Sequence, residues 1–320
     1  MSTPSVESLE TIIRKSTHAL VIGVGGGGDI VGALAAARFF EFCGLRFTLG
    51  GLPWERFVYD PLPGPRRISE INNIRALHQY AWMVNGTTQS ITGVRFTETE
   101  MSALYGWPVL HIDINGGTQG AIAGLDAAIA NLNVDLLVGI DVGGDSLAEG
   151  GETGLRSPLA DAIMLSAFVE FEQRGFPTLW GVFGYGSDGE LTTNEIEFAL
   201  SRVAKTGGLL GAWALTPQVV RELEKVIEKV PTEASAIPIR CASGAWGEAS
   251  IRHDERRVKL TPLTILTFYL SPTAVFHAVA RPAQVVARST SLDEANEALH
   301  KIGVKSELDL ERERLKQKGS

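Results

Sequence analysis

A chain of 320 residues with a formal net charge of -8 can organise one large core with accessory segments, and its acidity argues against a main task of holding nucleic acid. Hydrophobic residues make up 44% and charged residues 21%, a supply of core-forming side chains that excludes general disorder. No apolar run reaches the ~18 residues of a membrane span, and Met-Ser-Thr-Pro followed by Glu7 and Glu10 does not read as a secretory lead. Cys43 and Cys241 lie far apart without a close partner, so reduced thiols and a cytoplasmic location are expected.

The elements alternate. Residues 18–24, HALVIGV, form an apolar run that ends at Gly25, Gly26, Gly27 and Gly28, the pattern of a buried strand feeding a tight loop. Residues 30–42 predict a helix stopped at Gly44, and residues 45–49 a second strand. Pro61, Pro63, Gly64 and Pro65 interrupt the next stretch, so 51–100 reads as a rim excursion with hairpin or short-helix content. Residues 108–114, PVLHIDI, and 134–142, VDLLVGIDV, repeat the strand pattern around an alanine-rich helix ending near Asn131. A Ser157-Pro158 helix start, a strand over 178–185 and a helix over 193–205 with a Thr192/Glu195 capping box follow. Further on come a Thr216-Pro217 helix, an apolar strand over 262–270 and a helix from Ser291 to Gly303. Residues 306–320 read as a charged tail or a short solvent-facing helix. Recurrent βα units predict an α/β fold, a largely parallel Rossmann-like layered sheet with flanking helices, in one domain over 1–305.

The glycine block fits Gly23-x-Gly25-x-x-Gly28, formally a dinucleotide fingerprint whose side-chain-free loop admits a phosphate. Asp29 would set a negative charge beside that phosphate, and the second strand ends at Gly50-Gly51, where a ribose-binding carboxylate is expected. Walker spacing is absent, so an ordinary P-loop ATPase is disfavoured. The loop either cradles a ligand through residues 25–28 or serves a tight turn and close strand–helix contact.

Acidic residues gather in the same kind of position. Asp29, Asp113, Asp141, Asp145 and Asp188 all follow candidate strands, with Glu149, Glu152 and Glu190 nearby. If these loop ends converge, their carboxylates can hold Mg²⁺ or set an acid and a base around water; otherwise they are separate turn and cap residues. His111 reads as a satisfied buried histidine rather than a zinc ligand, because zinc spacing is missing. Ser146 and Ser187 lack a nucleophile elbow, and Ser146 can instead orient a carboxylate or a phosphate. Arg156 is either an anion-binding fork or a salt-bridge partner of Glu152 or Asp161.

The segments VIGVGGGGDIVGA and VGIDVGGDSLAEGGETGLRSPLAD together resemble a microbial family, the domain of unknown function 1152, over most of the chain. That resemblance implies an α/β protein with a shared pocket using Asp29, Asp141 and Asp145, and carries no known reaction. The central segment is also loosely similar to the metal-binding start of nucleoside hydrolases, DTDPG followed by paired aspartates.

The working expectation is Mg²⁺-assisted hydrolysis of a small polar metabolite, nucleotide-like or phosphorylated. Asp29, Asp141 and Asp145 would hold the ion, with Asp141 also catalytic, and Asp113 or Asp188 would move protons. Gly25, Gly26, Gly27, Gly28, Asn115, Ser146 and Arg156 would bind substrate. Nucleotide-dependent transfer or activation, and a metabolite sensor without catalysis, are the alternatives. No nucleic-acid or membrane partner is expected, and a homo-oligomer is left open.

Overall fold

A computed structural model describes residues 7–252 and 255–318. Residues 1–6, on which the reading against a secretory lead partly falls, lie outside them. Helix α1 (Leu9–Lys15) leads into β1 (His18–Gly23), α2 (Asp29–Phe42) and β2 (Arg46–Gly51). After the proline-rich stretch come β3 (Ile71–His78), β4 (Ala81–Ser90), α3 (Thr97–Tyr105) and β5 (Val109–Ile112). Then α4 (Gly117–Leu132), β6 (Leu136–Val142), α5 (Pro158–Gln173), β7 (Thr178–Phe183) and α6 (Thr193–Lys205) continue the alternation. The last third holds β8 (Leu209–Ala214), α7 (Pro217–Ile227), α8 (Ala236–Ala242), β9 (Gly247–Ile251), β10 (Arg256–Leu260) and β11 (Leu266–Leu270). Four helices close the chain: α9 (Pro272–Ala278), α10 (Arg281–Val286), α11 (Leu292–His300) and α12 (Glu307–Lys318).

Nine strands form one sheet in the order β3-β4-β5-β2-β1-β6-β7-β11-β8. The five central strands, β5 to β7 in that order, pair in parallel, whereas β4 and β11 pair antiparallel at their flanks. The fold is a mostly parallel, Rossmann-like α/β layered sheet. All six residues of β1 are buried, because helices cover both faces of the sheet and its side chains alternate between two cores. Leu20 and Ile22 enter the core beneath α4 and α5, and Ala19 and Val21 enter the one beneath α2 and α7.

The 51–100 excursion contains the β3–β4 hairpin, which extends the sheet edge through β4 against β5. The run over 262–270 is a short 3-10 turn at Pro262–Ile265 followed by β11. Strand β8, the apolar run LLGAWA, is a half-exposed edge that is absent from the elements expected from the chain.

The topology sets the functional crevice. From β1 the chain winds through α2 to β2 on one side, and later returns through α4 to β6 on the other, so the loops leaving β1 and β6 diverge at a switch point. Helix α12 closes over this end. Leu308 and Glu311 are buried, and the Glu307 carboxylate accepts the Leu159 and Ala160 backbone N–H groups at 3.1 and 2.9 Å. That carboxylate satisfies donors which the first turn of α5 cannot satisfy itself. The charged end is therefore the short helix of the two readings, packed through Leu308 and Glu311 and exposed beyond them. Deleting residues 306–320 is expected to lower stability by roughly 2 kcal/mol or more, the scale of losing a buried leucine together with helix-capping bonds. Equal urea midpoints for the truncated and full chains would contradict this packing.

Candidate functional site

The glycine loop after β1 forms one wall of a cavity of about 290 Å³, whose other walls come from the loops after β2, β6 and β7, the α7–α8 connection, the β9–β10 hairpin and α12. Gly26 and Gly27 adopt positive φ of 77° and 51°, conformations that side-chain-bearing residues rarely take. A Cβ at Gly28 would lie 2.3 Å from Thr232 Oγ1. The protein's own packing thus requires much of this glycine run. All four glycines, 25 to 28, also line the cavity.

Carboxylates form the floor. Asp141 ends β6, and its side chain is aimed by three donors: the Gly144 N–H at 3.1 Å, the Ser146 N–H at 3.1 Å and the Ser146 hydroxyl. Ser146 in turn accepts Trp180 Nε1–H at 2.9 Å, so it orients a carboxylate from beneath the site. Asp145 follows in a short 3-10 turn, and Asp161 projects from the first turn of α5. Oxygens of Asp141, Asp145 and Asp161 all lie within 4.8 Å of one another, and Asp145 stands equally close to Asp188 and Glu190. Asp29 joins from the start of α2, held by the Gly25 N–H at 3.0 Å. Gly143, at φ 120°, admits Asp188, because a Cβ there would sit 2.2 Å from the Asp188 carboxyl carbon.

These carboxylates differ in how far they are committed. Glu190 accepts Arg156 N–H at 2.6 Å, Ser157 N–H at 2.9 Å, Arg256 Nη1–H at 2.8 Å and the Ser157 hydroxyl, which leaves little capacity for another ligand. Asp161 Oδ1 and Asp188 Oδ2 are buried and have no hydrogen-bond partner among the described residues. Desolvation, then mutual repulsion, holds Asp29, Asp145, Asp161 and Asp188 well above the ordinary carboxylate range. Desolvation also raises Asp141, opposed by its bonds to Ser146 and Gly144.

Asp113 and Asn115 stand apart. Asp113 Oδ1 accepts the backbone and side-chain N–H groups of Asn115 at 2.7 and 2.8 Å, and Asn115 also donates to the Pro65 carbonyl at 3.0 Å. Burial raises Asp113 to about 6, with Arg67 and Glu70 among the charges it feels rather than the crevice aspartates. The cause is strand order: β2 lies between β5 and β1, and adjacent strands are ~4.8 Å apart. The expected convergence therefore includes Asp29, Asp141, Asp145 and Asp188 but excludes Asp113 and Asn115.

His111 is a satisfied core histidine, between Trp82 Nε1 at 3.2 Å and Glu98 Oε2 at 3.2 Å. Arg156 reaches the cavity, and its guanidinium donates to the Thr153 and Leu155 carbonyls at 2.8 and 2.7 Å rather than to Glu152 or Asp161. Asp161, Glu307, Arg252 and Arg256 join the site without having been assigned to it from the chain. Asp161 had a usable signal, since the first turn of a helix that begins beyond a strand's C-terminal end faces the crevice. The other three come from distant segments.

The chain matches the family model described as Protein of unknown function (DUF1152) over residues 20–315. It belongs to the DUF1152 family. No curated protein and no solved structure matches it, so the chemistry of this family member rests on the geometry of the crevice. No helix among the described residues is long and apolar enough to cross a membrane.

The raised carboxylates set a pH dependence. A group that binds its proton more tightly folded than unfolded contributes stability that is fully present below the ordinary value, 3.8 for Asp161, and is lost as pH rises through the raised folded value. In metal-free buffer, Asp161→Asn should therefore gain stability over the wild type as pH goes from 5 to 8. The gain should grow steadily with pH over that range. Thermal melts across that range check this, and a pH-independent difference would show that Asp161 is not a strained acid.

Proposed function

We propose that the protein is a metal-assisted hydrolase of a small polar metabolite, using a divalent cation held by Asp141, Asp145 and Asp161, with Mg²⁺ as the ion. The observation that carries this reading is the meeting of three carboxylates within 4.8 Å at the strand-end crevice, one of them with a buried, unpartnered oxygen. An all-oxygen donor set suits Mg²⁺ or Mn²⁺ over zinc. Asp29 lies beside the triad, its Oδ2 held by Gly25, and supplies further negative charge to the same ion. Glu190 is a poorer ligand than its proximity suggests, because four donors already occupy it.

A bound dication would polarise a substrate oxygen and make a nearby water more acidic. It would also oppose the repulsion that keeps these aspartates protonated. Asp188 suits proton transfer, with one oxygen fixed by the Glu190 N–H at 3.3 Å and the other uncommitted. In a hydrolytic cycle it takes a proton from the attacking water and returns it to the leaving group, while the remaining hydroxyl joins the electrophilic atom. Ser146 acts by holding Asp141, whereas Arg156 and the glycine loop bound the substrate space.

The cavity of about 290 Å³ admits a compact polar substrate together with water.

Titration with Mn²⁺ is expected to show the Asp141→Asn/Asp145→Asn double variant binding at least ~10-fold more weakly than the wild type, since two ligand charges are removed. With a mixture of small phosphorylated and other polar metabolites followed by mass spectrometry, Asp188→Asn should cut turnover by about 10²–10⁴-fold while leaving Mn²⁺ affinity within about threefold, as expected of a proton-transfer group rather than a ligand. Equal metal affinity in wild type and double variant would remove the metal assignment. Metabolite binding without metal dependence or product would instead identify a sensor.

A further inference from the structure

The wall of the crevice facing the carboxylates carries cations. Arg56, Arg252 and Arg256 all line the cavity. Arg256 spans the two regions, donating to Glu190 at 2.8 Å and to the Asp188 carbonyl at 3.0 Å. Arg56 and Arg252 face one carboxylate, Glu233, whose Oε2 is 3.5 Å from Arg56 Nη1 and 3.8 Å from Arg252 Nε. Neither contact has hydrogen-bond geometry, and the same oxygen accepts the Arg252 backbone N–H at 3.2 Å. Arg252 Nε is consequently a buried donor with no hydrogen-bond partner among the described residues.

A buried guanidinium N–H without a hydrogen-bond acceptor is costly unless something anionic completes it. Burial, and then the charges of Arg56 and Arg256, depress Arg252 below the usual arginine value despite Glu190 and Glu233. The open Arg252 Nε donor, with Arg56 and Arg256 nearby, favours an anion at this position.

We propose that Arg56, Arg252 and Arg256 form a phosphate-binding subsite, so that the substrate is a small phosphorylated metabolite whose phosphate docks against this arginine wall. Three neighbouring guanidiniums on one cavity wall suit a phosphate, which offers three terminal oxygens, better than a carboxylate, which offers two. The proposal rests on the crevice being the substrate site, as in the hydrolase reading, but its binding step does not need the metal.

The test is calorimetric titration of the intact protein with inorganic phosphate in chelator-treated buffer, using wild type, Arg252→Gln and Arg56→Gln, with succinate as a carboxylate probe. Phosphate is expected to bind the wild type and to lose at least ~10-fold in affinity in each variant, the scale of removing one charge-assisted hydrogen bond. Succinate should bind more weakly than phosphate. Parallel Mn²⁺ titrations should give the same affinity in all three folded proteins. Absence of phosphate binding, equal phosphate affinity in wild type and both variants, or a preference for succinate would overturn the subsite. Failure of Mn²⁺ to bind while the phosphate results hold would overturn the metal reading alone. Arg56→Gln provides the same decision if Arg252→Gln does not fold.

Discussion

Four buried aspartates, Asp141, Asp145, Asp161 and Asp188, meet at the end of two parallel strands, with Asp29 on the adjoining wall. Like charges at this separation in a desolvated site repel strongly, so they cannot all be ionised without protons, arginines or a cation among them. Much of the surrounding structure follows from that constraint. The β6 loop supplies two N–H groups and a hydroxyl to Asp141, and α5 begins where its first-turn dipole favours the Asp161 carboxylate.

The same constraint explains why distant segments fold back over this end of the sheet. Arg256 comes from the β9–β10 hairpin to pair with Glu190, and Glu190 in turn holds the N-terminal entry to α5. Glu307 reaches the next two amides of that helix from α12. Burial lifts Glu307 to about 8, so this cap too is sensitive to the charge state of the crevice. The helix that carries Asp161 is thereby held by two carboxylates from separate parts of the chain.

Charge also gives the crevice a direction. Its floor is built of carboxylates and one wall of guanidiniums, and Arg256 joins the two through its contacts with Glu190 and Asp188. Such separation of opposite charges in a small cavity orients a substrate as well as binding it.

The sequence by itself determined the βα alternation, the glycine turn after the first strand and the strand-end aspartates, because these rest on local signals: continuous apolar runs, helix caps and backbone freedom. Thr192 and Glu195 form the capping box that their spacing predicts. Only the tertiary structure decided which aspartates meet. Asp113 follows a strand as plainly as Asp141 does, yet β2 separates its strand from β1, and strand order is set by long-range packing. Arg252, Arg256 and Glu307 carry no local signal for their roles, since their partners are remote in the chain. Chain-local patterns specify where a loop leaves the sheet; the order of the strands and the closure of α12 specify which loops share a cavity.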